Sequence, residues 1–464
     1  MLTLINNATI INENKSFPGS VLIKDEKILE VLAITTPIGR ERNEQAIMNS
    51  DRIIDATGMI MMPGVIDDQV HFREPGQTEK ANIETDSAAA VLGGVTSYMD
   101  MPNNQPPICD LKSLEKKYNK AAEISYANYS FYLGANNSNI DEIVKADPNK
   151  ICGLKVFMGS STGNMLVDDN ETLEKIFKSS PLPISTHCEE ESIIKENLEK
   201  AISSGRVLTV EDHPKIRTRE ACIASTAKAI KLASKYNTHL HILHISTLEE
   251  LLLIAQAKLM KTPVTNEICV HHLWFTDQDY KEYGNKIKCN PAIKTTQDRD
   301  ALRKAVASGM CDSIGSDHAP HLLSEKQKDY LHCPSGIPLV QHTLQMMFTM
   351  ADHKIFSRTQ LVEMMCHKPA ITFNIKDRGY LRSGYYADIV LVRDKSRYNY
   401  ADYGVPVTVG HDNIAYKCEW SPFEGHVFDY KIEDVFVNGT QIVDDAKLTQ
   451  KRNSKRLSFN RIFD

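Results

Sequence analysis

Hydrophobic and polar positions follow one pattern at the two ends of the chain and another in its middle. Residues 1–58 and 378–447 contain short apolar runs that are broken by Asn, Gly and charged residues, which is typical of antiparallel strands and hairpins. The Asn438-Gly439 pair predicts a tight hairpin turn within the second segment. We therefore expect the two ends to fold together as one small β-sandwich domain.

The middle of the chain, residues 59–377, alternates between strand-like and helix-like stretches, which predicts an α/β fold. The strand candidates are GVIDDQVHF, TSYMDM, ANYSFYLGA, ICGLKVFM, LPISTHC, HLHILHIS, PVTNEICV and CDSIGSD. Eight strands separated by helices indicate a (β/α)8 TIM barrel. An open doubly wound sheet is the alternative, but no glycine-rich phosphate-binding fingerprint follows the first strand. Residues 448–464 are polar and basic, and we expect them to form a loose tail.

Composition narrows the range of partners. The net charge of -6 argues against nucleic acid, which requires a basic surface. No apolar run approaches the roughly 20 residues that span a membrane, and the first residues lack the features of a signal peptide. The ten cysteines form no CxxC pair, so we expect reduced thiols in a cytoplasmic protein that acts on a small molecule.

Ligand-type side chains recur where the predicted barrel strands end, which is the face at which barrel enzymes place their active sites. These residues are His71, Asn103, Lys155, His187, His244 and Asp317. A single His at a strand end is more often structural, so the prediction rests on their convergence. Because side chains alternate between the two faces of a strand, we expect only one of His241 and His244 to face the barrel interior, and His244 is nearer the functional end. We interpret His271 and His272 as structural.

Lys155 and Asp317 each allow two interpretations. An unpaired ammonium inside a barrel strand is costly and tends to lose its proton. The neutral amine of Lys155 could then react with carbon dioxide to form a carbamate that bridges two metal ions, whereas the alternative is an ion pair with an Asp at a strand end. Asp317 could ligate a metal and accept a proton from a metal-bound water, or it could simply cap the following turn.

Several segments together resemble the longer, type I-like dihydroorotases of the amidohydrolase superfamily. They are PGVIDDQVHFREPG, GGVTSYMDMPNNQPP, GLKVFMGSSTGNM, ISTHCE, HILHIST, EICVHHLWF, KCNPAIK and SDHAPH. The resemblance follows the whole barrel in order and continues into GYYADIVLV and WSPFEG. It implies a metal-dependent cyclic amidase that interconverts dihydroorotate and N-carbamoyl-L-aspartate in pyrimidine biosynthesis.

The resemblance also implies a set of zinc ligands. The residues carried over are His71, Lys155, His187, His244 and Asp317, with Lys155 carboxylated between two ions and Asp317 also acting as the general base. Gln69 stands where the family has the first His of the pair, and its amide oxygen is a poorer zinc ligand than imidazole. We therefore expect one zinc bound firmly by His187 and His244, and a second one that is weak or absent.

A carboxylate clamp is the other expectation from the resemblance. Arg73 and Asn103 match residues that hold the carboxylate of the substrate, His321 assists them, and Asn290 lines the pocket. A guanidinium can bind a carboxylate through two parallel hydrogen bonds. Hydantoinases and dihydropyrimidinases act on rings without this carboxylate, so Arg73 separates them from dihydroorotases. The alternative for Arg73 is a surface ion pair with Glu74.

Two other functions stay open on the sequence. The chain could be another cyclic amidase, such as an allantoinase or a hydantoinase. It could also be a catalytically impaired dihydroorotase-like partner of aspartate transcarbamoylase, which the replacement at Gln69 would favour. In either case we expect a homo-oligomer, and we predict that residues 160–165 and 322–336 form loops over the pocket.

Overall fold

The computed structural model describes residues 1–159, 165–167, 169–395 and 404–461. Its strands are β1 Leu2–Asn12, β2 Lys15–Lys24, β3 Lys27–Ala33, β4 Arg52–Asp55, β5 Met59–Pro63, β6 Val65–Val70, β7 Val95–Asp100, β8 Asn128–Phe131, β9 Leu133–Gly134, β10 Leu154–Phe157, β11 Ile184–His187, β12 Leu240–Ile242, β13 Val264–Cys269, β14 Ser313–Gly315, β15 Ile389–Asp394, β16 Val407–Thr408, β17 Val427–Phe428, β18 Tyr430–Val437, β19 Thr440–Asp444 and β20 Lys447–Leu448.

The α-helices lie mostly between the strands of the middle region, as the alternating pattern predicts. They are α1 Pro37–Asn49, α2 Ile83–Leu92, α3 Leu111–Ile124, α4 Ile140–Ile143, α5 Asn170–Ser179, α6 Glu191–Ser203, α7 His213–Ile216, α8 Arg219–Tyr236, α9 Leu248–Leu259, α10 Val270–Trp274, α11 Tyr280–Tyr283, α12 Thr296–Ala307, α13 Leu323–Lys326, α14 Thr343–Asp352, α15 Arg358–Val362 and α16 Lys368–Thr372.

Among the described residues, nine parallel strands, β6 to β14, form the barrel, and each of the eight predicted segments overlaps one of them or, for ANYSFYLGA, both β8 and β9. β6, β7 and β8 pair in order, and β9 to β14 pair in order. The β8 and β9 strands are separated only by Tyr132, and the ring closes where the His71 amide donates to the His318 carbonyl at 2.7 Å. β6 and β7 are buried along their whole length, as is typical of barrel strands that are covered on both faces. The predicted TIM-barrel fold is confirmed.

The two ends of the chain meet in one nine-stranded sheet, as their shared pattern predicts. Strand β5 pairs with the N-terminal strand β1 on one side and with the C-terminal strand β15 on the other. It therefore joins the two ends of the chain in one sheet. Asn438 and Gly439 both have positive φ in the turn between β18 and β19, as expected for this hairpin. Strand β5 falls in the segment that we assigned to the barrel, yet it pairs with β1 and β15, so the barrel strands begin only at Val65.

The C-terminal segment differs from the loose tail that its polar sequence suggests. Leu457 and Phe459 are buried in a cluster at the base of the barrel. The Arg461 guanidinium is also buried and donates to the carbonyls of Ile151, Cys152 and Phe373. Packing of Leu457 and Phe459 and the hydrogen bonds of Arg461 therefore fix this segment against the barrel as far as residue 461.

Candidate active site

A cavity of about 290 Å³ opens at the carboxyl ends of the barrel strands. All ten residues that the sequence pointed to line it, namely Gln69, His71, Arg73, Asn103, Lys155, His187, His244, Asn290, Asp317 and His321. They come from separate strands and loops, so parallel strands that end at one rim are what brings them together. Gln77, Phe157 and the 334–336 segment complete the wall.

Three of these residues have an unusual backbone conformation. Arg73, His244 and Asp317 have φ values of 63°, 38° and 46°, in the left-handed region that side chains other than glycine rarely adopt. This conformation costs about 1–2 kcal/mol per residue, and such strain concentrates at functional sites. In each case the chain turns sharply just after a barrel strand, and the side chain is directed into the cavity.

The half of the pocket around His187 is held by a layer of charged residues. His187 Nδ1 lies 2.9 Å from His244 Nε2, and His187 Nε2 lies 2.8 Å from a Glu189 carboxylate oxygen. Burial raises the pKa of Glu189, but Arg217 and His187 outweigh that effect, so the net pKa falls and the group is a carboxylate. A carboxylate that accepts from one imidazole nitrogen leaves the lone pair of the other nitrogen facing the cavity.

Lys155 lies in β10 and is almost completely buried. Its ammonium nitrogen is 4.7 Å from the centre of the Phe157 ring. Burial lowers the pKa of Lys155 to about 8, even though Asp317 and Glu267 act in the opposite direction. The amine is therefore partly neutral near pH 8, as carbamate formation requires.

The other half of the pocket is organised around Asp317. His71 Nε2 lies 3.1 Å from Asp317 Oδ1, and the Gln69 amide nitrogen donates to the same oxygen at 3.0 Å. Asn103 Oδ1 lies 2.7 Å from His71 Nδ1 and fixes the orientation of the ring. Burial raises the pKa of Asp317, but the contact with His71 outweighs it and the net pKa is lowered. Gln69 and His71 therefore contact the same oxygen of Asp317.

Arg73 is buried beside the cavity and, among the residues that the structure describes, forms no ion pair. Its Nε donates to the Pro320 carbonyl at 3.1 Å, and one terminal nitrogen lies 3.2 Å from His321 Nε2. His321 is itself next to Lys80, whose ammonium lies 3.3 Å from its Nδ1, and burial lowers the His321 pKa to about 3. The alternative of a surface pair with Glu74 is not observed, and the neighbouring Lys80 is itself paired with Glu325 at 2.8 Å.

Asn290 is positioned by His213, a histidine outside the barrel strands that the sequence pattern does not single out. His213 Nε2 lies 3.1 Å from Asn290 Oδ1, and His213 Nδ1 lies 3.0 Å from the Tyr330 hydroxyl. His213 is buried, so it supports the pocket wall from behind. Its signal in the sequence is weak, because it lies far from every strand end. Glu189 was also missed, although it follows His187 by two residues.

His241 corrects one expectation. We expected only one of His241 and His244 to face the barrel interior, but both do. His241 lies within the barrel, 3.4 Å from the carboxylate of Asp68 on the opposite strand β6. The alternation of faces ends with β12 at Ile242, and the positive φ at His244 turns that side chain inward as well.

The donors around the cavity match a divalent metal. His187 and His244 present nitrogen atoms to each other at 2.9 Å, and the buried atoms Gln69 Oε1 and His244 Nδ1 have no hydrogen-bond partner among the described residues. Imidazole, carboxylate and amide oxygen are ligands of zinc-type ions. Buried acceptors without donors are unfavourable unless a cation or water satisfies them. The residues present therefore fit a metal centre.

Of the two predicted loops, one is described. Residues 322–336 contain α13 and contribute the 334–336 wall of the cavity. The Lys326 ammonium fixes this loop by donating to the carbonyls of Lys288, Pro334 and Gly336. The other loop was predicted over residues 160–165, and its residues 160–164 lie outside the described residues.

Comparison with known proteins identifies the family of the chain. The model of the amidohydrolase family matches residues 60–442, which include the whole barrel. The chain belongs to the amidohydrolase family. Dihydroorotases from Methanosphaera stadtmanae and Methanosarcina acetivorans are 30% and 31% identical to it over 88% and 91% of the chain, and over 90% and 88% of their own lengths.

Other relatives carry different names. An allantoinase from Desulfitobacterium hafniense is 28% identical over 98% of both chains. The solved L-hydantoinase (dihydropyrimidinase) from Arthrobacter aurescens superposes with a TM-score of 0.89 at 24% identity, covering 98% of this chain and 99% of its own, which supports the fold. At the level on which these relatives agree, the chain is a cyclic amidohydrolase. In the described residues, no helix has both the length and the apolar character needed to cross a membrane.

Proposed function

We propose that the chain is a zinc-dependent dihydroorotase, which interconverts dihydroorotate and N-carbamoyl-L-aspartate. The observation that carries this proposal is the buried Arg73, whose guanidinium faces the cavity and lacks a carboxylate partner among the described residues. A buried cation without a counter-ion is costly, so the site favours a substrate that brings an anion. Dihydroorotate carries such a carboxylate, whereas hydantoins and allantoin do not.

The carboxylate of the substrate would bind between Arg73 and Asn103. The terminal nitrogens of Arg73 can form two parallel bonds to it. The amide nitrogen of Asn103 donates to no described residue, so it can add a third bond while its oxygen holds His71. The neutral His321 lies behind the clamp next to Lys80, which is paired with Glu325, and Asn290 lines the wall. These contacts would place the cyclic amide next to Asp317.

The metal would be held by His187, His244 and Lys155 on one half of the pocket, and by His71 and Asp317 on the other. When bound, zinc supplies Lewis-acid chemistry at the amide carbonyl. Lys155 would hold the metal as a carbamate. Gln69 would act either as a weak oxygen ligand or as a hydrogen-bond donor to Asp317. We infer that the His187–His244 half binds firmly and that the His71 half is weakened.

Asp317 would carry the proton. In the hydrolytic direction it takes the proton of the attacking water and delivers it to the ring nitrogen that departs. In the synthetic direction it takes a proton from the carbamoyl nitrogen as the ring closes. General acid–base catalysis of this kind contributes about 10²–10⁴-fold. The anionic form of Asp317 favours the first transfer.

A substrate panel with Arg73→Ala tests the proposal. We expect the wild-type protein to prefer dihydroorotate over hydantoin, dihydrouracil and allantoin. Truncating Arg73 removes a charge-assisted contact, so kcat/KM for dihydroorotate should fall by about 100-fold or more, while any turnover of uncharged rings changes little. Lys235→Ala, which removes a surface ion pair with Glu174 away from the pocket, is the control. A wild type that prefers uncharged rings would overturn the assignment.

A non-catalytic role as a partner of aspartate transcarbamoylase is the second candidate, because Gln69 replaces a ligand. Against it, Gln69, His71, Asn103 and Asp317 form a connected set of contacts in the pocket, and the clamp residue Arg73 is present. Association with that enzyme, or of the chain with itself, can be measured by light scattering with and without the partner. An inactive protein that binds the partner tightly would favour this second role.

A further inference from the structure

Below the active-site pocket, three buried side chains converge inside the barrel. Asp68 lies on β6, His241 on β12 and Glu267 on β13, and their ligand-type atoms all lie within 4.8 Å of one another. Strand β6 is not a neighbour of β12 or β13, so the three side chains meet across the barrel interior. None is more than 1% exposed. This cluster is separate from the ten residues of the pocket.

Hydrogen bonds fix which atom of His241 carries the proton. Its Nδ1 lies 2.9 Å from the Thr265 hydroxyl oxygen. That hydroxyl gives its own hydrogen to the Leu240 carbonyl, so it accepts from His241. Nδ1 is therefore the protonated nitrogen, and the lone pair of Nε2 faces the cluster. Histidines that bind metals show this pattern, because the second nitrogen donates to a fixed acceptor.

The two carboxylates are oriented in the same way. Asp68 Oδ2 accepts from the Ser313 hydroxyl at 2.6 Å. Glu267 Oε1 accepts from the His244 amide at 3.0 Å and from the Cys269 thiol at 2.9 Å. The remaining oxygens, Asp68 Oδ1 and Glu267 Oε2, have no hydrogen-bond partner in the described part of the chain. His241 Nε2 also has none, although it is 3.4 Å from Asp68 Oδ2.

Gly315 on β14 provides room at the same point. A Cβ atom added there would lie 2.8 Å from Glu267 Oε2 and 3.3 Å from Asp68 Oδ1. Both unsatisfied oxygens are therefore directed at the bare Cα of this glycine. The φ of Gly315 is outside the left-handed region, so its backbone does not require glycine. Because Gly315 has no side chain, there is open space next to Glu267 Oε2 and Asp68 Oδ1.

Three buried lone pairs that face one another are electrostatically unfavourable unless a cation or a proton lies among them. Buried charges in proteins are paired or coordinate metals, and buried polar atoms have partners. Apart from His241, neither carboxylate has an ion-pair partner among the described residues. A cation would satisfy all three atoms at once, and one nitrogen with two carboxylate oxygens is a donor set that suits zinc or manganese.

We propose that Asp68, His241 and Glu267 bind a structural divalent metal ion, of the zinc or manganese class, inside the barrel. This ion would link β6 to β12 and β13. Asp68 directly precedes Gln69, and Glu267 holds the backbone of His244, so the ion would also support both halves of the pocket from below. The inference does not depend on the substrate of the pocket.

Anomalous diffraction at the zinc and manganese edges tests the proposal directly. Crystals of protein purified without chelators should show a peak between the three side chains, apart from any peak at His187 and His244. Metal analysis by mass spectrometry on the same preparation gives the stoichiometry. Density at this point without anomalous signal, which would be ordered water, overturns the proposal, whether or not the protein hydrolyses any cyclic amide.

Two variants attack the site in different ways. Asp68→Asn removes the charge of one ligand, and Gly315→Ala keeps every ligand but puts a methyl group between the two oxygens. Each should lose about one equivalent of metal per chain and should melt at a lower temperature than the metal-loaded wild type, because binding stabilises the fold.

Asp67→Asn is the matched control, because it removes a buried carboxylate one residue away that is not in the cluster. It should keep the ion. If all three variants bind as much metal as the wild type, the proposal is wrong. If one variant fails to fold, the anomalous map of the wild type decides alone.

Discussion

The two halves of the pocket differ in how completely their ligand positions are supported. Around His187, a carboxylate and an arginine lie behind the ligand, and His244 faces it at 2.9 Å. Around His71, an amide takes the place of the first histidine, yet Gln69 still reaches Asp317 and Asn103 still holds the ring. The contacts around His71 are thus formed with Gln69 in place, which is consistent with our proposal that this metal position is weakened and not lost.

The largest effect should come from the weaker half. Asp317→Asn removes the group that we assign to proton transfer while preserving the shape of the side chain. Turnover of dihydroorotate and of N-carbamoyl-L-aspartate should both fall by about 1,000-fold or more. Steady-state assays in both directions, with circular dichroism to check the fold, give the result.

Asp312→Asn is the control for that variant, since Asp312 pairs with Lys258 away from the pocket. A loss in only one direction would mean that another group shares the transfer, and it would break the assignment of Asp317.

A change in the layer behind His187 should turn the firm half into a weak one. Glu189→Gln keeps the shape but removes the carboxylate that fixes His187, and loss of such a partner costs about 10–100-fold in metal affinity. Competition with a chelator of known affinity measures it. Glu174→Gln, which removes a carboxylate on the outer surface, is the control. Unchanged affinity in Glu189→Gln would show that the two halves do not differ for the reason given.

Gln69→His should make zinc binding in the two halves of the pocket more alike, with a smaller effect on activity than the changes above. Gln69→His restores an imidazole beside His71 and Asp317, so the protein should hold a second zinc after mild chelation. Activity should change by less than about 10-fold, because the chemistry already has its other residues. Metal analysis before and after dialysis against a weak chelator follows the change. A variant that still holds only one zinc would contradict the idea that Gln69 is the cause.

The barrel could be predicted from the sequence because strand-like and helix-like segments alternate regularly along the middle of the chain. Eight strand-like segments alternate with helix-like ones, and the strand ends determine where polar side chains meet, so ten of the sixteen residues that line the pocket could be named in advance. Contacts between side chains that are distant in the sequence leave no repeating pattern of this kind. His213 supports Asn290 from another part of the chain, and Glu189 acts through His187, so neither had a distinct signal.

Backbone conformations outside helices and strands also could not be predicted from the sequence. The positive φ of His244 breaks the alternation that separated it from His241, and strand rules cannot anticipate it. Leu457 and Phe459 are two apolar residues in a basic segment, too few to form a pattern, although they fix that segment to the barrel.

The most direct test of the central claim is the zinc content of the wild-type protein after mild chelation, measured beside a dihydroorotate assay on the same preparation. The account predicts one tightly held zinc per chain together with turnover of dihydroorotate. A protein that binds no zinc and acts on no cyclic amide would contradict it and would leave the scaffold role standing.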